Sequence, residues 1–211
     1  MHAQYRSINL IPKDDQRYQE HCSKMRFINN SNRFSGDFDY KQVITAWLEQ
    51  KIIQHVSRKF IYDKRCILTW EEITSMNRYS RKFKEIDCLF SSDDGPLYME
   101  VKASLSKSSF KRGKTQINEN FKLLSLVNNK TKSILVMADC RCFDSSFGYA
   151  KEFIDSDTDT SARYKLIHGL GIPEAWSGSD KWLWLLDQKD VLELAKVYGP
   201  PEEEQDGFQD Y

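Results

Sequence analysis

The sequence predicts a mixed α/β fold, and three observations carry that prediction. An apolar stripe at helical spacing runs early in the chain, three strand-like segments follow it, and a second helical stretch separates the third segment from a short apolar run. A helix placed between two strands is long enough to serve as a crossover. The third and fourth strands are therefore expected to run parallel in a mixed central sheet flanked by helices.

Taken in order, residues 1–36 are polar, lack a clean period and end in turn formers (Asn29, Asn30, Ser31, Asn32, Ser35, Gly36). They read as an N-terminal arm with one short helix near Asp14–Met25. Asp37 or Asp39 can cap a helix reaching about Ser57, with Val43, Ile44, Trp47, Leu48, Ile52, Ile53 and Val56 as its apolar positions. Strands are expected at about 60–74, 82–90 and 96–103, the last two joined by the turn Ser91-Ser92-Asp93-Asp94-Gly95-Pro96, whose two aspartates serve the turn. A helix fits 114–128, where Ile117, Phe121, Leu124 and Val127 recur at helical spacing. Ser133–Ala138 reads as a buried strand, Trp182–Leu186 as another, and Lys189–Val197 as a closing helix. The main domain would thus span 37–198, with an acidic tail over 199–211.

A chain of 211 residues with 40% hydrophobic and 13% aromatic residues has enough material for one sizeable core. Lysine plus arginine and aspartate plus glutamate both number 31, so only the distribution of charge is informative about partners. Arg78, Arg81, Lys82 and Lys84 form one basic cluster, and Lys107, Lys111, Arg112 and Lys114 another; acid collects after Gly199. No apolar run approaches a membrane span, and the N-terminus lacks a signal-peptide core. Five scattered cysteines fit free thiols in a reducing, intracellular (cytoplasmic) setting; Cys140 and Cys142 lack the second pair or nearby histidine that zinc requires. The four histidines form no spaced pair, and Trp176, Trp182 and Trp184 read as core or a partner surface.

The chemistry concentrates in Lys84-Glu85-Ile86-Asp87-Cys88-Leu89-Phe90 and Leu97-Tyr98-Met99-Glu100-Val101-Lys102-Ala103. Alternate side chains of a strand share a face, so Tyr98, Glu100 and Lys102 point one way and Leu97, Met99, Val101 and Ala103 the other. A hairpin through Asp93–Pro96 would bring Asp87 alongside them. Two carboxylates supply hard oxygen ligands for Mg²⁺, with Mn²⁺ able to substitute, and a lysine beside them can orient a water or offset charge developing on phosphorus. On the first helix Glu49 has Ala46, Ile52, Ile53 and Val56 as neighbours. It either finds a partner on that apolar side, such as a cation, its water or a lysine, or sits at the stripe's edge and reaches solvent.

These residues resemble the PD-(D/E)XK superfamily of restriction-endonuclease-like nucleases. The matching pattern is Asp87 on one strand, Glu100-Val101-Lys102 on the next, and Glu49 on the preceding helix, over about residues 37–140. Ile86 stands where the motif name has proline, which leaves the metal-binding acid in place. The resemblance implies a restriction-endonuclease-like core and a magnesium-dependent endonuclease acting on DNA. Asp87, Glu100 and the Val101 carbonyl would hold the metal, with Lys102, Glu49 and Gln116 completing the catalytic group. The basic clusters flank this motif, so Arg81, Lys82, Lys111, Arg112 and Lys114 are expected to contact the phosphates, Lys114 also by its position where Gly113-Lys114-Thr115-Gln116 opens a helix. An RNA-cleaving nuclease of the same chemistry is one alternative. A non-catalytic subunit that docks nucleic acid or a partner protein is another, and a homodimer or larger nucleoprotein complex is compatible with each.

Overall fold

The computed structural model describes residues 5–29, 40–73, 78–157, 163–173 and 181–201. Two sheets form. The larger has six strands in the order β2 (Ile61–Tyr62), β5 (Cys88–Ser91), β6 (Leu97–Lys102), β7 (Lys132–Ala138), β9 (Lys181–Leu186) and β8 (Lys165–His168). It is mixed: β2, β5 and β6 pair antiparallel, whereas β6, β7, β9 and β8 run parallel. The smaller sheet is antiparallel, in the order β1 (Tyr5–Ile11), β3 (Ile67–Ile73), β4 (Tyr79–Glu85).

Helices cover both faces of the large sheet. Leu97, Met99 and Val101 of β6, with Ile134, Val136, Trp182 and Trp184, bury against α2 (Tyr40–Val56) and α5 (Gln188–Tyr198). The opposite face, with Tyr98, Leu135, Met137, Leu183 and Leu185, packs on α3 (Lys107–Val127) and on Leu68 of the small sheet. The strictly alternating sequence of β6 therefore divides as period two demands, and its parallel pairing with β7 follows from the α3 crossover.

Three expectations change. The 60–74 and 82–90 segments each break in two, because Asp63 takes the Arg65 backbone N–H in a turn and because Ile86 and Asp87 carry the chain from one sheet to the other, with Ile86 N–H bonded to the Cys66 carbonyl. Five strands thus stand where three were read. Residues 5–29, read as an arm, carry β1 and then α1 (Gln16–Asn29), the latter close to the expected helix. The alternation of β1 is interrupted by a register shift between Arg6 and Asn9, with Ser7 at φ 54°, so the segment carries no clean period of two.

The third change is at α3, which starts at Lys107 and not at Lys114. Ser106 caps it, its hydroxyl accepting the Ser109 N–H, so Gly113 lies inside the helix. A Cβ on Gly113 would come within 2.6 Å of Leu135 Cδ1 and 3.5 Å of Lys102 Cγ; the glycine lets α3 press on the sheet. The expected placement of Lys114 at a helix N-terminus is therefore wrong. Asp37, Asp39, Trp176 and the acidic stretch 202–211 lie outside the described residues.

α4 (Lys151–Asp155) and a single 3₁₀ turn (Cys140–Cys142) complete the described elements. Among the described residues no helix is long and apolar enough to cross a membrane.

Candidate active site

The site lies at the carboxyl end of β6. In the β5–β6 hairpin Cys88 is opposite Met99 and Leu89 opposite Tyr98, so continuing the register by one step sets Asp87 opposite Glu100. The turn that allows this closes with Ser92 Oγ donating to the Gly95 carbonyl and with Gly95 at φ +115°.

Glu100 is 2% exposed and fully engaged. Its Oε1 accepts from Lys102 Nζ at 2.6 Å, and its Oε2 accepts from the Tyr98 hydroxyl at 2.5 Å. That hydroxyl in turn accepts from Asn120 Nδ2 on α3, also at 2.5 Å. Asp87 Oδ2 accepts the Val101 backbone N–H at 2.8 Å. Lys102 Nζ makes a second bond, to the Val101 carbonyl at 3.1 Å, the same oxygen expected to ligate a metal.

Charge is crowded here. Burial first, and then the neighbouring Glu100 carboxylate, push Asp87 up to about 6. Glu49, on the facing turn of α2, is pushed up to about 7; burial contributes most, Asp87 and Glu100 add to it, and Lys102 opposes it. Both carboxylates are raised chiefly because burial disfavours their charged forms, and neighbouring carboxylates add to it.

A cleft of about 630 Å³ opens beside this cluster, between α2 (Lys41, Thr45, Glu49), the end of β6 (Val101, Lys102, Ser104) and α3 (Ser109, Arg112). Its far wall is the 146–148 loop, fastened to the main body by Ser104 Oγ donating to the Gly148 carbonyl. Glu49 and Lys102 line the cleft, whereas Asp87 and Glu100 do not; the Lys102 ammonium lies on Glu100.

The remaining expected residues are dispersed. Gln116 follows Gly113 by three residues on α3 and precedes Asn120 by four, on the side of the helix turned to the sheet. Its Oε1 is buried without a hydrogen-bond partner among the described residues. Arg112 lines the cleft, whereas the Lys111 ammonium sits 5.9 Å from the centre of the Phe153 ring and Lys114 pairs with Asp157 at 3.0 Å. Arg81 lies on the small sheet, bonded to Glu71 at 3.1 Å, with Lys82 exposed beside it; neither lines the cleft.

His55 belongs to the core, bonded to the Leu170 carbonyl at 2.8 Å, and burial lowers its pKa. Trp182 and Trp184 are core residues.

Sequence reasoning passed over Tyr98 as a polar member of the site, and Asn120 entirely. The available signals were a tyrosine two residues before Glu100 on the same strand face, and an asparagine beside Ile117 and Leu124 in an apolar helix stripe, where a polar group needs a partner.

Among the described residues no group of three or more histidine, cysteine, aspartate or glutamate side chains converges as a ready metal cage. Two adjacent carboxylates nevertheless suit Mg²⁺, which keeps several waters and is commonly bound through one or two carboxylates. The adjacent carboxylates of Asp87 and Glu100 are the groups that would hold such an ion, in competition with Lys102 for Glu100 Oε1. No protein-family model, curated protein or solved structure matches this chain.

Proposed function

We propose that this protein is a metal-dependent nuclease of the PD-(D/E)XK type that hydrolyses phosphodiester bonds in DNA, most simply as an endonuclease. The observation that carries this reading is the convergence of Asp87, Glu100 and Lys102 at the end of β6, beside a cleft that Lys102 and Glu49 line. The order α2, β5–β6 hairpin, α3, β7 is compatible with a restriction-endonuclease-like core.

Magnesium, held by Asp87 and Glu100 with the Val101 carbonyl as a further oxygen, would supply Lewis-acid polarisation of the phosphoryl group and acidify water. The chain's own groups do the rest. Released from Glu100 Oε1, the Lys102 ammonium remains tethered at the mouth of the cleft, where it stabilises charge building on phosphorus. Glu49, with its pKa near 7, exchanges a proton readily at neutral pH and suits general-base assistance to the attacking water. Gln116, whose Oε1 is buried and which does not line the cleft, is given no role in this reading. Arg112 and Lys41, on opposite walls, provide cationic contacts for the flanking phosphates.

The test is cleavage of supercoiled plasmid DNA and of single-stranded RNA by the purified chain with Mg²⁺, Mn²⁺ or EDTA. Nicking of DNA that needs the metal and disappears in Asp87→Ala and Lys102→Ala is the expected result. Undiminished cutting by Lys102→Ala would overturn the mechanism, and cleavage of RNA alone would overturn the choice of substrate. Absence of Mn²⁺ binding, with Asp87→Ala behaving as wild type, would replace the enzyme reading with a docking subunit.

A further inference from the structure

Three polar groups form a continuous buried chain from α3 to β6: the Asn120 amide, the Tyr98 hydroxyl and the Glu100 carboxylate. Asn120 and Tyr98 are each 0% exposed. A tyrosine hydroxyl has one proton to give. With Asn120 Nδ2 donating to the hydroxyl oxygen, that proton is directed to Glu100 Oε2. Asn120 Oδ1 has no hydrogen bond among the described residues, so within them the amide is anchored through Tyr98 alone. The result is asymmetric. Oε2 is tied to the protein interior, while Oε1 accepts from the Lys102 ammonium, whose place another cation can take.

We propose that Asn120 and Tyr98 are positioning residues that hold the Glu100 carboxylate in one orientation, presenting Oε1 to a divalent cation. The inference rests on the metal-dependent reading of the site. Neither residue touches the reacting atoms; both act through Glu100. Without the hydroxyl the carboxylate gains rotational freedom about its terminal bond, and Lys102 can follow it, so cation binding weakens even though both proposed ligands are still present. Groups that orient a ligating carboxylate in this way are worth about 10–100-fold in metal affinity or activity. A polar chain buried in an otherwise apolar layer would be costly to keep for packing alone.

The experiment uses the full chain with Tyr98→Phe, Asn120→Leu and the double variant. It measures Mn²⁺ binding by titration calorimetry, folding by near-UV circular dichroism and thermal melting, and kcat and KM for plasmid cleavage. Tyr98→Phe is expected to fold, to bind Mn²⁺ about 10-fold more weakly and to lose kcat with KM for DNA unchanged. Asn120→Leu should give a smaller loss, and the double variant should be no worse than Tyr98→Phe, because the asparagine acts only through the hydroxyl.

Wild-type Mn²⁺ affinity and kcat in Tyr98→Phe, with or without a lower melting temperature, would overturn the inference and reduce the chain to a structural tie. If Asn120→Leu does not fold, Tyr98→Phe decides alone. Mn²⁺ binding by wild type without cleavage of nucleic acid would sink the nuclease reading, and the positioning role would then stand or fall on affinity. No Mn²⁺ binding by wild type would overturn both.

Discussion

Asp87 Oδ2 accepts the backbone N–H of Val101 at 2.8 Å, so the acid just before β5 is fastened to the main chain of β6 between its acid and its lysine. A carboxylate held by a backbone amide is placed by the sheet itself, independently of any side-chain rotamer on β6. Asparagine retains an acceptor for that N–H while removing a charge that burial and Glu100 both oppose. Asp87→Asn is therefore expected to abolish Mn²⁺ binding and metal-dependent cleavage, yet to stabilise the metal-free protein by about 1–3 kcal/mol at pH 8. Calorimetry and chemical denaturation check the two halves separately; a destabilised Asp87→Asn would contradict the crowding of charge.

Lys102→Met should act in the opposite sense on folding. Its ammonium lies 2.6 Å from Glu100 Oε1, and removing one partner of so buried a pair strands the other, at a cost of about 3 kcal/mol. Cleavage should fall by at least about 100-fold, the scale of losing a charge-stabilising donor. Mn²⁺ affinity should hold or rise, since Glu100 Oε1 is freed. Equal loss of binding and turnover would show that Lys102 acts only through the fold.

The pH dependence of stability follows from Asp87 at about 6 and Glu49 at about 7, both above their ordinary values of 3.8 and 4.5. Between roughly pH 4 and 7 the folded chain binds protons at these groups that the unfolded chain has released. Their contribution is thus greatest at low pH and is lost as pH rises through the folded values. Metal-free protein should lose melting temperature from pH 5 to pH 8 by more than the Glu49→Gln/Asp87→Asn variant does, and Mg²⁺ should restore most at pH 8. A wild-type profile parallel to the variant's would refute the assignment.

Gly95 is needed for the hairpin that brings Asp87 to Glu100. Its φ of +115° disfavours any side chain, and a Cβ there would lie 2.6 Å from the Lys130 carbonyl oxygen, which is backbone and cannot rotate aside. Gly95→Ala is expected to cost about 2 kcal/mol or more, read from denaturant midpoints. Activity at saturating metal should fall with it, because the turn sets the register of the site.

The two basic clusters should separate in a DNA-binding assay. Arg112 lines the cleft, whereas Arg81 is bound to Glu71 on the other sheet. Arg112→Ala should weaken binding of a catalytically dead background and flatten the salt dependence by about one phosphate contact, with Arg81→Ala close to neutral. The reverse ranking would move the nucleic-acid path to the small sheet.

How much of this was legible beforehand depended on whether a pattern is local. The β6 alternation is local, and it alone determined that Tyr98, Glu100 and Lys102 share a face opposite Leu97, Met99 and Val101, because successive strand side chains must point to opposite sides. The apolar stripe of α2, the β5–β6 turn and the crossover that makes β6 and β7 parallel were readable for similar reasons. Tertiary structure alone decided the rest. That position 113 inside α3 must be a glycine follows from the close approach of Leu135; whether 82–90 is one strand or two depended on the Cys66 carbonyl taking the Ile86 amide. The pairing of Asn120 with Tyr98 spans 22 residues and two elements. Periodicity assigns a residue to a face, but which group it meets there is set by the distance and register at which two elements pack.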